Sequence, residues 1–272
     1  MSNVWLTCPA ARPEEQSTVP LWSARGYKTA LWRDPGAPPI KADLIIMGEY
    51  PGHSVSNNRL IKTVLELDPT CDWCVSAGDD VEPDLNHSPS GIARECEEHF
   101  GLYISEFGSG LREEYLADVM ALESTKKRST FGVMQPTGDR WLEDHYRAQF
   151  PDEPAHIDRI CGSPWIGREF ARRAYHGNGP WWPEFWHMYN DEHLQAVSKK
   201  LGILWQRRDL SHMHNHWARK PRPTEADMPD FLKRANSPEN WNAMKAIFDR
   251  LKSGDFAEAY DLLPAAGSEP CE

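Results

Sequence analysis

Short, continuous apolar runs of strand length divide the first third of the chain. One covers residues 4–8 and ends at Pro9, a second covers residues 42–47, and a third covers residues 73–77. Runs of this length without alternation are typical of parallel strands that are buried on both faces. The stretch between the first two, to about residue 39, is rich in Pro, Gly, Arg and Trp and has no clean period, which favours a loop.

A helical period separates the second and third of these runs. Leu60, Ile61 and Val64 fall on one face of the predicted helix. Asn57 or Asn58 is its expected N-cap. Strand, loop, strand, helix and strand is the order of a parallel nucleotide-binding sheet.

Later patterns extend the sheet and then become helical. Further strands are expected over residues 131–135 and 203–206, and a helix before the second of them begins at Asp191 as its N-cap. The sequence therefore predicts an α/β fold with a mostly parallel central sheet flanked by helices. We expect residues 1–220 to form this domain and residues 221–272 to form a helical C-terminal extension packed on it.

Composition limits the kind of protein that the chain can be. Its 272 residues are 40% apolar, which is enough for a real core, and no run has the length needed to cross a bilayer, so no membrane partner is expected. The chain begins without a basic segment followed by an apolar one, and its 6 cysteines are scattered, so we expect reduced thiols and a cytoplasmic location. The net charge of -11 argues against a general nucleic-acid binder but allows a local basic face.

Two adjacent acids follow the third apolar run, in the order Gly78, Asp79 and Asp80. Paired carboxylates at the carboxyl end of a buried strand can hold a divalent cation in the crevice where open α/β sheets bind ligands. A glycine before them lets a ligand approach the backbone closely. We expect the pair to bind a metal and a nucleotide diphosphate, and a solvated acidic turn is the alternative.

Two later stretches could complete the same site. Asp191 and Glu192 lie at a predicted helix start, and His214 and His216 follow a predicted strand. Carboxylates with an imidazole suit Mn²⁺ or a similar ion better than Ca²⁺, and such a metal would stabilise a departing diphosphate. Asp191 could accept the proton of an attacking hydroxyl, although a plain helix cap is the commoner role for an Asp in that position.

Several loop positions could line a nucleotide pocket or meet a base or ribose. They share only their places beside predicted strands, and ordinary loop residues are the alternative interpretation. They are Pro9, Ala10 and Arg12 after the first strand, then Gly26 and Tyr27, and Glu49 at the end of the second strand.

Histidines at alternate positions permit a different metal site. His212, His214 and His216 would share one face of a strand. Cys71 and Cys74 have the spacing of half a zinc site, but the chain offers one such Cys pair where a full site usually shows two paired halves. Structural zinc is therefore the weaker interpretation of these residues.

Basic residues cluster in the second half of the chain, interleaved with Trp and Tyr. This pattern suits binding of a phosphate backbone with base stacking, although most charge runs form a solvated face. The clusters are Arg168, Arg172 and Arg173; Lys199, Lys200, Arg207 and Arg208; and Arg219, Lys220 and Arg222.

In this order the motifs resemble those of GT-A fold glycosyltransferases of the inverting, metal-dependent kind. The resemblance rests on the run Gly78-Asp79-Asp80, on Asp191, and on His214 in a run with His216. It implies a GT-A-like sheet, a UDP-sugar donor, a divalent metal (Mn²⁺ or Mg²⁺) and Asp191 as catalytic base. A full Asp-x-Asp motif is absent: Asp80 is favoured for the metal and Asp79 for the ribose or a metal-bound water. Whether His214 or His216 is the ligand is left open.

Two further stretches, residues 131–141 and 162–170, look like parts of viral glycosyltransferases, some of which add sugars to hydroxymethylated pyrimidines in DNA. This similarity implies a DNA acceptor such as 5-hydroxymethylcytosine, a bacteriophage-type setting and the cytoplasm of a host cell. The target base would have to leave the stack. Two alternatives are kept: transfer to a surface glycan, lipid or protein, and a non-catalytic nucleic-acid-binding module with a Cys/His zinc site. The oligomeric state is left open.

Overall fold

The computed structural model describes residues 3–107, 129–137, 148, 156–217, 224, 226 and 228–263. Its strands and helices alternate along most of the chain. The strands are β1 (Asn3–Pro9), β2 (Lys28–Arg33), β3 (Leu44–Met47), β4 (Cys71–Ser76), β5 (Val81–Glu82), β6 (Val133–Thr137), β7 (Trp165–Gly167), β8 (Leu204–Ser211) and β9 (Met213–His214). The helices are α1 (Val19–Ala24), α2 (His53–Leu67), α3 (Pro89–Phe107), α4 (Arg168–Gly177), α5 (Asn190–Lys200), α6 (Asp230–Lys233) and α7 (Pro238–Ser253).

A 7-stranded sheet of order β3-β2-β1-β4-β7-β6-β8 organises the described residues. Neighbouring strands run parallel except where β7 pairs with β4 and with β6. The carboxyl ends of β1, β2, β4, β6 and β8 therefore point to the same edge. The predicted α/β class with a mostly parallel central sheet is confirmed.

The core covers both faces of this sheet, as expected for parallel strands. In β1, Val4, Leu6 and Cys8 pack in one apolar cluster while Trp5 packs in the other. Successive side chains of a strand point to opposite faces, so β1 separates two cores.

One prediction was wrong in the region assigned to a loop before residue 39. This region contains α1 and β2, and β2 pairs with both β1 and β3. Trp22 and Leu31 are completely buried. The strand begins with Lys28 and ends with Arg33, and these charged ends hid it from a search for apolar runs.

The second apolar run was placed correctly but its burial was not. It forms β3, an edge strand, in which Ile45 is 40% exposed and Met47 57% exposed. The following helix, α2, begins at His53 with Gly52 as N-cap, upstream of the predicted cap at Asn57 or Asn58. Gly52 has a φ of 101°, and a Cβ there would lie 2.6 Å from the carbonyl oxygen of Trp186.

The C-terminal segment, which we define as residues 228–263, packs against the aromatic stretch before α5. Ser237 caps α7 by accepting a hydrogen bond from the Asn240 backbone N–H at 3.2 Å. Met244 and Leu251 of α7 form a small apolar cluster with Phe185. A domain boundary near residue 220 remains a prediction.

Some predicted positions lie outside the described residues. They include the end of the 131–141 stretch and the basic cluster at Arg219, Lys220 and Arg222. Within the described ranges, no helix combines the length and apolar character that a bilayer span requires.

Candidate active site

A pocket of about 530 Å³ opens beyond the carboxyl ends of β1 and β4. The loops that follow these two strands line it together with the start of α5, the β9 region and the C-terminal segment. Most of the residues singled out from the sequence meet in this pocket, although they come from distant parts of the chain. They are Pro9, Ala10, Arg12, Gly78, Asp79, Asp80, Asp191, His214 and His216.

Gly26, Tyr27 and Glu49 do not join the described lining of this pocket. Gly26 and Tyr27 precede β2 and so lie at its amino end, whereas the pocket lies beyond the opposite ends of the parallel strands. Tyr27 is 3% exposed and packs edge-on against Trp22, with ring centroids 4.7 Å apart. Glu49 is exposed after the edge strand β3. Gly26 and Tyr27 were misplaced because β2 was not recognised. Glu49 follows the carboxyl end of β3, but β2 and β1 separate that strand from β4.

Asp79 ties the loop after β1 to the loop after β4. Its buried carboxylate accepts hydrogen bonds from the backbone N–H groups of Ala11 at 2.9 Å and Arg12 at 2.7 Å, and it pairs with the Arg12 guanidinium. Burial raises the pKa of Asp79, and the Arg12 charge opposes that shift. Through these contacts, Asp79 holds the loop after β1 against the loop after β4, at the carboxyl edge of the sheet.

Asp80 faces the histidines instead. Its Oδ1 lies 3.4 Å from Nε2 of His214, and its Oδ2 lies 2.9 Å from Nη2 of Arg12. Burial alone would raise the pKa of Asp80, but the His214 hydrogen bond, assisted by the charges of His214, Arg12 and His216, lowers it below its ordinary value. Asp80 is therefore ionised at neutral pH.

A two-stranded ribbon brings His214 to Asp80. β5 pairs antiparallel with β9, and Val81 lies opposite His214. The Asn215 backbone N–H also donates to the Asp80 carbonyl oxygen at 2.7 Å. His216 follows with its ring centroid 5.0 Å from that of His214. This pairing spans more than 130 positions of sequence, which is why strand patterns alone left the choice of histidine open.

Gly78 leaves room for the Asp80 carboxylate. A Cβ at Gly78 would lie 2.6 Å from Oδ1 of Asp80, closer than a real Cβ contact allows. A side chain at this position would therefore displace the Asp80 carboxylate. The group that approaches the Gly78 backbone is thus a side chain of the protein, where the sequence predicted a ligand.

The donor atoms near Asp80 fit a divalent cation whose shell is completed by other molecules. No group of three or more His, Cys, Asp or Glu side chains converges among the residues described. Asp80 and His214 supply one carboxylate and one imidazole, with His216 adjacent, and such a mixed set suits Mn²⁺ better than the all-oxygen set that Mg²⁺ prefers. The remaining positions would fall to ligand oxygens and water.

The described residues do not form the Cys/His zinc site. His212 is buried at the junction of β8 and β9, where its Nδ1 lies 3.0 Å from Oγ of Ser163, so it does not share a stripe with His214. The sulfur atoms of Cys71 and Cys74 lie 3.7 Å apart but are buried in the core at β4. Both cysteines pack in the apolar core on one face of the sheet.

Asp191 lines the pocket from the first turn of α5. The N-cap of this helix is Tyr189, with a φ of 65°, so the prediction that Asp191 is the cap was wrong. The Asp191 backbone N–H instead donates to Oδ1 of Asn190 at 2.8 Å. A carboxylate in the first helical turn is stabilised by the helix dipole.

Glu192 stands beside Asp191 with a very different environment. Burial, and then the Asp191 charge, raise the pKa of Glu192 to about 10, so it is protonated at neutral pH. Its Oε2 is buried and has no hydrogen-bond partner among the described residues. Of the two adjacent acids, Asp191 is the one that lines the pocket.

Uncharged polar side chains line the pocket next to Asp191, and the sequence did not predict them. Nδ2 of Asn190 lies 2.5 Å from Nδ1 of His53, and the Tyr50 hydroxyl lies 3.2 Å from Nδ1 of His187. Burial, followed by the neighbouring His187, lowers the pKa of His53 to about 3. These groups come from the starts of α2 and α5 and from the residues just before them, and no sequence motif links them.

The C-terminal segment closes another side of the pocket. Leu232, Ala235 and Asn236 of the α6 region line it, together with Trp241 in the first turn of α7. The sequence predicted that this extension would pack on the domain but assigned it no part in the site.

Several of the described basic residues bind acidic side chains or backbone carbonyl groups of the same chain. The Arg207 guanidinium lies 2.7 Å from Glu95 and 2.6 Å from Asp209, and Arg208 lies 2.5 Å from Asp158. Arg168 donates to the backbone carbonyl oxygens of three residues, including Cys71 at 2.6 Å. Their positive charges are therefore compensated by carboxylate and carbonyl oxygens of the same chain.

Comparisons with known proteins give distant structural likenesses. No protein-family model and no curated protein sequence matches the chain. The catalytic domain of Drosophila beta1,4galactosyltransferase 7 in complex with xylobiose aligns at 13% identity and a TM-score of 0.45, over 87% of this chain and 79% of that one. A mutant of the same enzyme with manganese, UDP-Gal and xylobiose aligns at 14% identity and a TM-score of 0.39, over 87% and 80%.

A glycosyltransferase involved in glycosylation of the major capsid of PBCV-1 aligns at 12% identity and a TM-score of 0.28, over 61% of this chain and 60% of that one. Similarity at this level leaves the function of the chain to be inferred from its own pocket.

Proposed function

We propose that the protein is a metal-dependent glycosyltransferase that moves a sugar from a UDP-sugar to an acceptor hydroxyl. One observation carries the proposal: Asp79 and Asp80, Asp191, and His214 line a single pocket beyond the ends of parallel strands. Ligands bind at this edge of open α/β sheets. The order of these motifs along the chain, which resembles that of GT-A fold glycosyltransferases, supports the same assignment.

Asp80 and His214 would hold a Mn²⁺ or Mg²⁺ ion, which when bound neutralises the diphosphate of the donor and of the departing UDP. The loop at Pro9, Ala10 and Arg12, anchored by Asp79, would border the nucleotide. The Arg12 guanidinium would turn from the carboxylates to the donor phosphates. Arg suits this role because its planar guanidinium forms paired hydrogen bonds to phosphate oxygens.

Asp191 would act as the general base. As the acceptor oxygen forms its bond to the anomeric carbon, the bond from that carbon to the diphosphate oxygen breaks and UDP leaves with the electron pair. The acceptor proton passes to the Asp191 carboxylate. Attack from the side opposite UDP inverts the configuration at that carbon.

The acceptor is a separate question. The similarity of two stretches to viral enzymes favours 5-hydroxymethylcytosine in DNA as the acceptor. A glycan, lipid or protein acceptor is the alternative. Internal pairing of Arg207 and Arg208 weakens the support for a phosphate-binding face. A cytoplasmic location stays a proposal that follows from the sequence alone.

A donor screen tests the proposed function. UDP release from a panel of UDP-sugars is measured with Mn²⁺ and with EDTA. We expect release from at least one donor that needs the metal, and a loss of about 100-fold or more in Asp80→Asn and in Asp191→Asn. Asn242→Ala, an exposed change outside the pocket lining, is the matched control. Activity preserved in both aspartate variants would reject the assigned roles.

A further inference from the structure

Trp241 is an exposed aromatic residue at the pocket. It lies in the first turn of α7, lines the pocket and is 44% exposed, whereas Trp22, Trp73, Trp165 and Trp181 are buried in the core. A large apolar side chain left exposed beside a pocket that also holds polar groups is a common feature of ligand sites.

Tyr189 holds Trp241 in place. Their ring centroids lie 5.3 Å apart at an interplanar angle of 65°, and Tyr189 also packs against Phe248 at 5.4 Å. The edge-to-face contact fixes the indole at the pocket instead of letting it collapse onto the helix.

The same tyrosine connects the indole to Asp191. Tyr189 adopts a φ of 65° at the N-cap of α5, two residues before Asp191. A left-handed conformation at a bulky residue is strained and persists only where packing supports it. Trp241 and Phe248 supply that packing, so the C-terminal segment sets the position of the proposed base.

The charges around the pocket limit what can bind next to Trp241. Asp34, Asp79, Asp80 and Asp191 line it, and Arg12 is the one Lys or Arg in the described lining. Arg12 is paired with Asp79 and Asp80. A neutral ligand with hydroxyl groups avoids the repulsion that a phosphodiester chain would meet, and the uncharged groups at His53, His187 and Asn190 can hydrogen-bond to hydroxyls.

We infer that Trp241 is the acceptor platform: its indole contacts the apolar face of a neutral saccharide ring, one hydroxyl of which reaches Asp191. The inference rests on the proposed function and makes the C-terminal segment the source of acceptor specificity. Aromatic rings suit such acceptors because a pyranose ring presents C–H groups on one face and hydroxyls around its rim.

The test uses the full chain with Mn²⁺ and the UDP-sugar that the donor screen selects. The acceptor probes are the p-nitrophenyl β-glycosides of xylose, glucose, galactose and N-acetylglucosamine, alongside a DNA duplex containing 5-hydroxymethylcytosine. We expect transfer to at least one glycoside, and in Trp241→Ala a rise of about tenfold or more in the KM for that glycoside. The dissociation constant for UDP should change less than about twofold in this variant, because the proposed nucleotide contacts come from the loop after β1 and not from α7.

Trp241→Phe keeps an aromatic face and should recover most of the acceptor affinity, while Asn242→Ala on the same turn should behave as wild type. Transfer to the duplex alone, transfer to none of the probes, or an unchanged glycoside KM in Trp241→Ala would overturn the inference. Absence of donor hydrolysis and of UDP binding in the wild-type protein would instead reject the proposed function, so the two failures are distinguishable.

Discussion

Asp79 and Asp80 are neighbours in sequence and have different roles in the pocket. Asp79 is bound by two backbone N–H groups of the loop after β1, while Asp80 faces His214 across 3.4 Å. The sequence placed both acids correctly and favoured Asp80 for the metal. It did not predict the contacts that distinguish the two acids, because the partners of Asp79 and Asp80 lie more than 60 and more than 130 positions away along the chain.

Substitution of Gly78 by Ala tests this arrangement, because it adds a single methyl group next to Asp80. In Gly78→Ala the new Cβ would meet Oδ1 of Asp80 at 2.6 Å and push the carboxylate away from His214. We expect the affinity for Mn²⁺ to fall about tenfold or more, with the thermal midpoint lowered by only a few degrees, as titration calorimetry and a melting curve would measure.

Gly254→Ala is the matched control, because its Cβ would make only an ordinary contact 3.5 Å from the Leu251 carbonyl oxygen. Equal Mn²⁺ affinity in the two variants would contradict the prediction that displacing the Asp80 carboxylate weakens metal binding.

At the scale of elements, two segments without recognisable motifs complete the pocket. The segment that leads into α2 carries Tyr50 and ends at His53, the first residue of that helix, and the segment that leads into α5 carries His187 and ends at Asn190, the first residue of that helix. Gly52, whose φ is 101°, and Tyr189, whose φ is 65°, let these segments approach each other. The glycine was visible in the sequence, but a left-handed tyrosine has no sequence signal and is set by its packing against α7.

His53 makes the junction of these segments sensitive to pH. Its pKa in the folded state is about 3 and its ordinary value is near 6.5, so the unfolded state binds more protons between these values. The stability that neutral His53 contributes is complete above pH 6.5 and is lost as the pH falls towards 3. We expect His53→Gln to reduce the slope of unfolding free energy against pH in this window by about 1 kcal/mol per pH unit.

Urea denaturation of the wild type and of His53→Gln at several pH values between 4 and 7 measures this slope. His176→Gln serves as the control, because His176 is exposed on the surface. Parallel curves for wild type and His53→Gln would contradict the buried, neutral state of His53.

At the scale of the whole molecule, the sequence predicted the mostly parallel sheet and the meeting of three distant motifs at its edge. It did so because buried strands and their terminal acids are local patterns. It missed β2, the short antiparallel β7 and the part that Leu232, Asn236 and Trp241 take in the pocket. These features depend on contacts between segments that are distant in sequence, and the local pattern of residues does not specify such contacts.

The most direct test of the account is a crystal structure grown with Mn²⁺ and UDP, with data collected at the manganese absorption edge. The account predicts one anomalous peak per chain, bonded to a carboxylate oxygen of Asp80 and to the imidazole of His214, in the pocket that Asp191 lines. A peak away from Asp80, or UDP bound outside this pocket, would contradict it.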